Sequence, residues 1–407
     1  MSLKAALVLM TVVAVVSDTL LDPFYPQYFE TVLGVSDAQH VGFYIAACAL
    51  TVMSSFPVWA RISERLPVLP LLVATQLATG GLCLALAATT SLALFWALSL
   101  VMMVFKASYL LIYPYVMSLE DEEHHVGTIS LLAFVVYFGH IVAALLSGLV
   151  FELVAPRFLF VVMACADGLQ ILVCLHMLRM SDFGASPATE GTRDADARAP
   201  LPPRFVLRLG AVMFMMYFGA YLSEPFFSLF WERTSALDNR MVSGLVFGLP
   251  GIVAILAVWV NTRLRQPGGP HAGIASAMGL GLCGLWLQAS GQPVVLLVGR
   301  LLYGWALFQA MVRLDLLLFR VSQPETYASD FSRIHLFQSL GTLAASFSAG
   351  TLVASYGLRM PFLVAGGGLL LCMGMYWSLF RRELRGGPAD VGVGLAEDDI
   401  REGRAIS

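Results

Sequence analysis

Apolar residues run along this chain in long blocks separated by short polar intervals. Twelve blocks of about 20 residues or more can be drawn, at 4–29, 39–60, 67–90, 92–117, 126–151, 157–179, 206–231, 240–262, 270–290, 292–320, 330–354 and 359–381. A helix rising ~1.5 Å per residue needs about 20 apolar residues to cross a ~30 Å hydrocarbon layer. The pattern therefore predicts an all-α membrane protein of twelve transmembrane helices. The one long polar interval, residues 182–205, is rich in Ala, Pro, Asp, Arg and Thr. It predicts a cytoplasmic linker between two pseudo-symmetric six-helix bundles, 1–181 and 206–382, with residues 383–407 as a disordered cytoplasmic tail.

The two halves share a phrase. Asp22-Pro23-Phe24-Tyr25, followed by Tyr28, Phe29 and Glu30, returns 202 residues later as Glu224-Pro225-Phe226-Phe227, followed by Phe230, Trp231 and Glu232. Gly42 with Gly244, Arg61 with Arg263, Gly139 with Gly341, Gly148 with Gly350 and Phe160 with Phe362 keep the same offset. A repeat this long means one half-protein fold present twice, an organisation typical of secondary transporters.

Composition agrees: 58% of residues are hydrophobic, 13% are charged and mean hydropathy is +0.78. Soluble domains carry about 25% charged residues, so one large soluble core would lack the polar residues to cover it. The N-terminus, the even-numbered loops and the tail hold seventeen Lys and Arg, against four on the other side (Arg157, Arg233, Arg240 and Arg359). This asymmetry puts both termini in the cytoplasm. Residues 118–125, Ser-Leu-Glu-Asp-Glu-Glu-His-His, dissent, but acidic residues count little in this rule. They read as a solvated acidic loop rather than a metal site, since no second ligand cluster accompanies them. The first block, with Lys4 before it, has features of a secretory leader; its match to 206–231 argues for a retained helix. The six cysteines (48, 83, 165, 174, 283 and 372) fall inside predicted helices without paired spacing, as apolar fillers. No phosphate-binding loop or haem or iron–sulfur spacing occurs, which predicts no cofactor, no metal and no nucleic-acid partner. Transport would draw on an ion gradient or run downhill.

This arrangement resembles the major facilitator superfamily. Between helices two and three, Ala60-Arg61-Ile62-Ser63-Glu64-Arg65-Leu66-Pro67 stands where that family carries Gly-x-Leu-x-Asp-Arg-x-Gly-Arg-Arg-Pro. Glu64 replaces the Asp, Arg65 keeps its place and both glycines are absent; the resemblance implies a charge latch on the cytoplasmic side. Gly299-Arg300-Leu301-Leu302-Tyr303-Gly304 in helix ten is similar to the family's Gly-Arg-x-x-x-Gly element of helix four. Gly139, Ser147 and Gly148 hint at the antiporter signature of helix five, without its proline. The resemblance implies that helices one and four line a central cavity, with a monomer as the working unit.

Ionisable groups at membrane depth cost at least about 2.5–3.5 kcal/mol on insertion scales, so they face a cavity or a partner. Asp18 and Asp22 share one face of helix one, with Tyr25 continuing it, and Lys106 lies at similar depth in helix four with Tyr109 and Tyr113. Lys106 is expected to pair with Asp18 or Asp22, and Glu224 of helix seven with Arg300 of helix ten. Such pairs either couple protons or fix helix packing. Tyr217, Tyr221, His140 and His335 complete the candidate substrate cavity, although each histidine also reads as a hydrogen-bonded structural residue. Glu64, Arg65, Arg313 and Asp315 form the candidate cytoplasmic gate, although Arg313 and Asp315 read equally as a local polar pair. Asp167 on helix six reads as a proton site or, since the resemblance makes helices three, six, nine and twelve the outer support, more readily as packing or a loop contact.

The mix of acids and bases suits a zwitterion or a hydrogen-bonding metabolite. The expected function is a proton-coupled exporter of such a molecule in a bacterial inner membrane. Ser17-Asp18-Thr19 followed by Pro23-Phe24-Tyr25-Pro26-Gln27-Tyr28-Phe29 resembles bacterial siderophore exporters of the superfamily. A multidrug/proton antiporter, a proton–nutrient symporter and a non-transporting membrane sensor are the alternatives.

Overall fold

The structure, a computed structural model, describes residues 3–63, 65–112, 125–180, 202–237, 239–263, 273–321 and 327–381. Among these every regular element is helical. The first half holds α1 (Leu3–Thr19), α2 (Tyr25–Leu33), α3 (Ala38–Ser63), α4 (Val68–Ala88), α5 (Leu92–Lys106), α6 (His125–Leu153) and α7 (Phe158–Met180). The second holds α8 (Pro203–Leu222), α9 (Phe227–Ser235), α10 (Arg240–Arg263), α11 (Ile274–Gln288), α12 (Pro293–Val321), α13 (Tyr327–Tyr356) and α14 (Met360–Leu379). Among the described residues eleven segments are long and apolar enough to span a membrane, and the shorter α11 takes the place of the ninth, so all twelve expected blocks are accounted for. The linker expected at 182–205 lies outside the described residues up to Leu201, as does the tail from 383 onward.

The first and seventh spans are each two helices. Pro23 has no N–H to offer the Thr19 carbonyl, and its ring crowds that oxygen. Accordingly α1 stops at Thr19 and a 3-10 turn, Asp22–Phe24, intervenes before α2. Pro225 acts likewise on the seventh span, separating α8 from α9. The Phe24 N–H donates to the Leu21 carbonyl at 3.0 Å and the Phe227 N–H to the Glu224 carbonyl at 3.1 Å, so each break is re-bonded over three residues. Both copies of the repeated phrase thus put a carboxylate at a helix break. Irregular backbone at such depth is tolerated only where protein or a watery cavity satisfies it.

The chain divides into two compact units. One gathers α1–α7, α9, α10 as far as Ile255 and the end of α13 from Ser346. The other gathers α8, the remainder of α10 and α13, α11, α12 and α14. In the first, α4 packs on α7 and α5, and α1 on α6 and α7. In the second, α11 packs on α12 and α14, and α14 on α8. The first unit's core is an apolar cluster with Met10 and Ala14 of α1, Leu69 and Leu72 of α4, Ile112, and Cys174 and Met177 of α7. Aromatic rings enclose α2: Tyr28 lies 5.6 Å from Phe95 and from Phe160, and Phe29 lies 4.9 Å from Tyr44, centroid to centroid.

Two helix crossings in the first unit are made by glycines. A methyl placed on Gly42 of α3 would stand 2.8 Å from the Gly350 Cα of α13, and one on Gly148 of α6 would stand 2.6 Å from the Arg240 carbonyl of α10. Gly244 of α10 presses on the Ala144 carbonyl, with Gly148 beside it. Backbones meet here without intervening side chains, the small-residue packing by which membrane helices gain van der Waals contact.

Candidate functional site

Lys106 ends α5, 7% exposed, and the chain continues as a 3-10 turn, Ala107–Leu111. Its Nζ donates to Asp18 Oδ1 at 2.7 Å and to Ser17 Oγ at 3.2 Å. The bond is short and charge-assisted, which makes it about twice as strong as a neutral one. Asp18 thus takes the lysine, while its own side chain is 39% exposed. Asp22, one helical turn further at the break, is partly exposed and lies within electrostatic reach of Glu224, Asp18 and Lys106. Four ionisable groups of the first unit therefore share one field, with a single cation among them.

The flanking tyrosines do different things. Tyr25 is buried against Tyr44, centroids 5.8 Å apart. Tyr109, 6% exposed, belongs to the apolar cluster with Met10, Leu72 and Cys174. Tyr113 lies outside the described residues. His140 is exposed, with Nδ1 2.7 Å from the Val136 carbonyl of its own helix.

One end of this unit carries a second polar group of residues. Gln27, 2% exposed, donates to both carboxylate oxygens of Glu232 at 3.4 Å. Glu232 pairs with the Arg240 guanidinium, and the Arg240 backbone N–H donates to Glu152 at 2.8 Å. These contacts join α2, α6, α9 and α10 beside the glycine crossings. Close by, Phe43 and Phe347 stack with centroids 5.0 Å apart.

In the second unit Arg300 is 1% exposed within α12. Tyr217 and Tyr221 stack on one face of α8, rings 6.0 Å apart. His335 is exposed, its Nδ1 3.3 Å from Ser339 Oγ. Arg313 lies against Gly273 at the start of α11, and Asp315 is half-buried two residues on. Arg65 is exposed; Glu64, its neighbour in the candidate gate, lies outside the described residues, as do residues 118–124 of the acidic loop.

Asp167, weighed in the sequence analysis, is 1% exposed and accepts from the Cys83 thiol at 3.9 Å. Sequence reasoning did not single out three features. Ser17 shares the lysine with Asp18. Gln27 binds Glu232, although it sat unremarked inside the repeated phrase. Asn261 and Gln309 exchange amide bonds of 2.9 and 3.3 Å between α10 and α12. The six cysteines are free thiols; Cys165 and Cys283 are exposed and the others buried.

The family model "Major Facilitator Superfamily" matches residues 7–284. The chain is similar in structure to a bacterial homologue of the human lysosomal transporter Spinster, in an inward-facing and unoccupied conformation. That match has a TM-score of 0.71 and 13% identity, covering 95% of this chain and 98% of that one. It is similar to the nucleoside transporter NupG, with a TM-score of 0.69 and 15% identity, over 93% of this chain and 99% of that one. It is also similar to the human organic anion transporter MFSD10, with a TM-score of 0.60 and 18% identity, over 91% and 98% of the respective chains. At these identities the likeness shows the fold. A search of curated protein sequences gives no match.

Proposed function

The chain belongs to the Major Facilitator Superfamily, and from that premise we propose that it is a proton-coupled exporter of a small polar or zwitterionic metabolite. It is a secondary transporter, not an enzyme. One observation carries the finer reading: Lys106 is held at 2.7 Å by Asp18, with Asp22 at the neighbouring helix break in the same field. A proton arriving on Asp18 neutralises it and takes away the lysine's partner. A substrate bearing both charges can do the same, its cation on a carboxylate and its anion on Lys106. Competition of proton and substrate for one set of groups is the elementary basis of antiport, since each ligand binds better to the state the other has left. A siderophore fits the chemistry, as a metabolite rich in hydrogen-bonding groups.

The arginine asymmetry supports cytoplasmic termini in a bacterial inner membrane. The protein would work as a monomer.

The test uses inverted vesicles whose lumen is acidified and followed by a pH-sensitive dye, with chelating metabolites and lipophilic cations added in turn. One chelating metabolite should release luminal protons, and Asp22→Asn should weaken that response about 5- to 150-fold, the range of ordinary coupling free energies. A response to many lipophilic cations would make it a multidrug antiporter instead. Alkalinisation of the medium when substrate is added to whole cells would mark a symporter.

A further inference from the structure

Asp167 has no part in that reading, yet a buried acid at membrane depth calls for a partner. It is 1% exposed on α7, where that helix packs on α4. A methyl on Gly80 of α4 would stand 3.6 Å from the Asp167 Cβ and 3.8 Å from the Ala164 carbonyl. Just beyond Gly80 on α4, the Cys83 thiol donates to Asp167 Oδ2 at 3.9 Å. Lys106 acts on Asp167 through space, but its ammonium is bonded to Asp18 and Ser17. Among the described residues the groups that hydrogen-bond the Asp167 carboxylate are neutral, the Cys83 thiol and the Thr79 hydroxyl.

Further oxygen atoms gather at the same crossing. The two helices run antiparallel: Leu69 and Leu72, early in α4, pack with Cys174 and Met177, late in α7. Gln76, about a turn before Gly80, and Gln170, about a turn after Asp167, therefore come to one level. They are 3% and 2% exposed. The Thr79 hydroxyl donates to the Gln76 carbonyl at 3.0 Å and lies 3.3 Å from Gln76 Oε1, which leaves its lone pairs available. Gln170 Oε1 is buried without a hydrogen-bond partner. A bare acceptor in such a place is unfavourable unless a donor or a cation meets it.

We infer that one sodium ion binds between α4 and α7, held by Asp167, Gln170, Gln76 and Thr79. Carboxylate, amide and hydroxyl oxygens are hard donors that suit a hard cation. The single carboxylate matches a single positive charge, whereas a divalent ion would leave the site charged in apolar surroundings. Water could satisfy Gln170 but would leave the charge of Asp167 uncompensated. Cys83 occupies Oδ2, so Oδ1 is the oxygen left for the ion. Once bound, sodium neutralises Asp167 and ties the third span to the sixth. The site stands apart from the Lys106–Asp18 pair, so the exporter reading can fail without it.

The full chain in lipid nanodiscs, washed with choline chloride, is titrated with sodium chloride at neutral pH and constant ionic strength while thermal unfolding is followed. Sodium should raise the unfolding temperature. Well above half-saturation, each tenfold rise in sodium should lower the unfolded-to-folded ratio about tenfold. Equal stabilisation by potassium or choline overturns the inference. Radioactive sodium should bind saturably, with one ion per chain. Asp167→Asn should abolish that binding and Asp22→Asn should leave it; the reverse outcome overturns the inference. Gln170→Leu should weaken binding about tenfold or more, the worth of one bond to a charged group. The same variant without sodium should be no less stable than the parent, because an unpartnered oxygen is gone, an outcome that a packing role for Gln170 would not give. If Asp167→Asn does not fold, Gln170→Leu and Thr79→Val decide, and unchanged sodium affinity in both overturns the inference.

Discussion

If the proposed proton coupling holds, Lys106→Met should abolish transport while costing about 1–3 kcal/mol of stability. The methionine keeps the length and apolar stem of the lysine, so what is lost is the charge bonded to Asp18 and Ser17. Breaking a fully buried ion pair costs about 3–5 kcal/mol, because the surviving charge is stranded. Here the surviving Asp18 is 39% exposed, so water screens it and the cost is discounted. Asp167 and Asp22 lose the same cation, and function suffers more than stability because nothing then discriminates between protonated and ionised carboxylates. Thermal unfolding in detergent should fall by several degrees, and the vesicle response should be absent rather than reduced. Lys106→Arg should recover the stability but only part of the transport. The guanidinium keeps the charge, yet it is a planar fork that does not lose its proton, in a place shaped for a point charge.

A second large effect is expected where backbones meet. Gly350→Leu puts a side chain where the Ala38 carbonyl lies 2.5 Å from the first added carbon, and Gly244→Val sets a branched carbon against the Ala144 carbonyl. A flexible side chain could move aside; a helix backbone cannot. Overpacking of this kind costs about 1–3 kcal/mol. In a protein that opens and closes, that cost appears as a population shift of about 5- to 150-fold away from the packed end, not as unfolding. The stacked Phe43 and Phe347 report it: cysteines at both positions, with Cys165 and Cys283 replaced by Ala, should be joined by a short bifunctional reagent. The yield should collapse when Gly350→Leu is added, and an undiminished yield would show that the crossing tolerates bulk.

The helix breaks were not drawn from the sequence, which put a single helix over each of 4–29 and 206–231; proline alone does not decide them, since Pro57 and Pro250 lie inside α3 and α10. The Lys106–Asp18 pair was legible, as one of two candidate pairings, because equal depth on two apolar helices leaves few other partners. Tyr109 was not. Helical spacing put it on the face of Lys106, but α5 gives way to a 3-10 turn at Ala107, and the ring packs in the apolar cluster. Asp167 was set aside as packing or a loop contact because its helix was expected to be peripheral; its contact with Cys83, which also touches Met102, joins three helices that no local pattern brings together. The group formed by Gln27, Glu232, Arg240 and Glu152 depends on residues as much as 205 apart, a distance that no local pattern bridges. Glu232 was visible only as a landmark of the repeat.

The glycine crossings have a consequence for the chain's architecture. By the 202-residue offset Gly42 is the counterpart of Gly244, and Gly148 of Gly350. In space Gly42 meets Gly350, and Gly244 meets Gly148. Each residue thus touches the counterpart of the other's partner, which is the rule of an isologous interface, where residue i faces j and j faces i across a two-fold axis. A half-length chain with one such pair of glycines would build both crossings by pairing with a second copy of itself. The fused chain keeps that homodimer's joint but has freed its two copies to diverge: a charge introduced beside Gly42 no longer appears beside Gly244, and one crossing can be loosened while its twin holds.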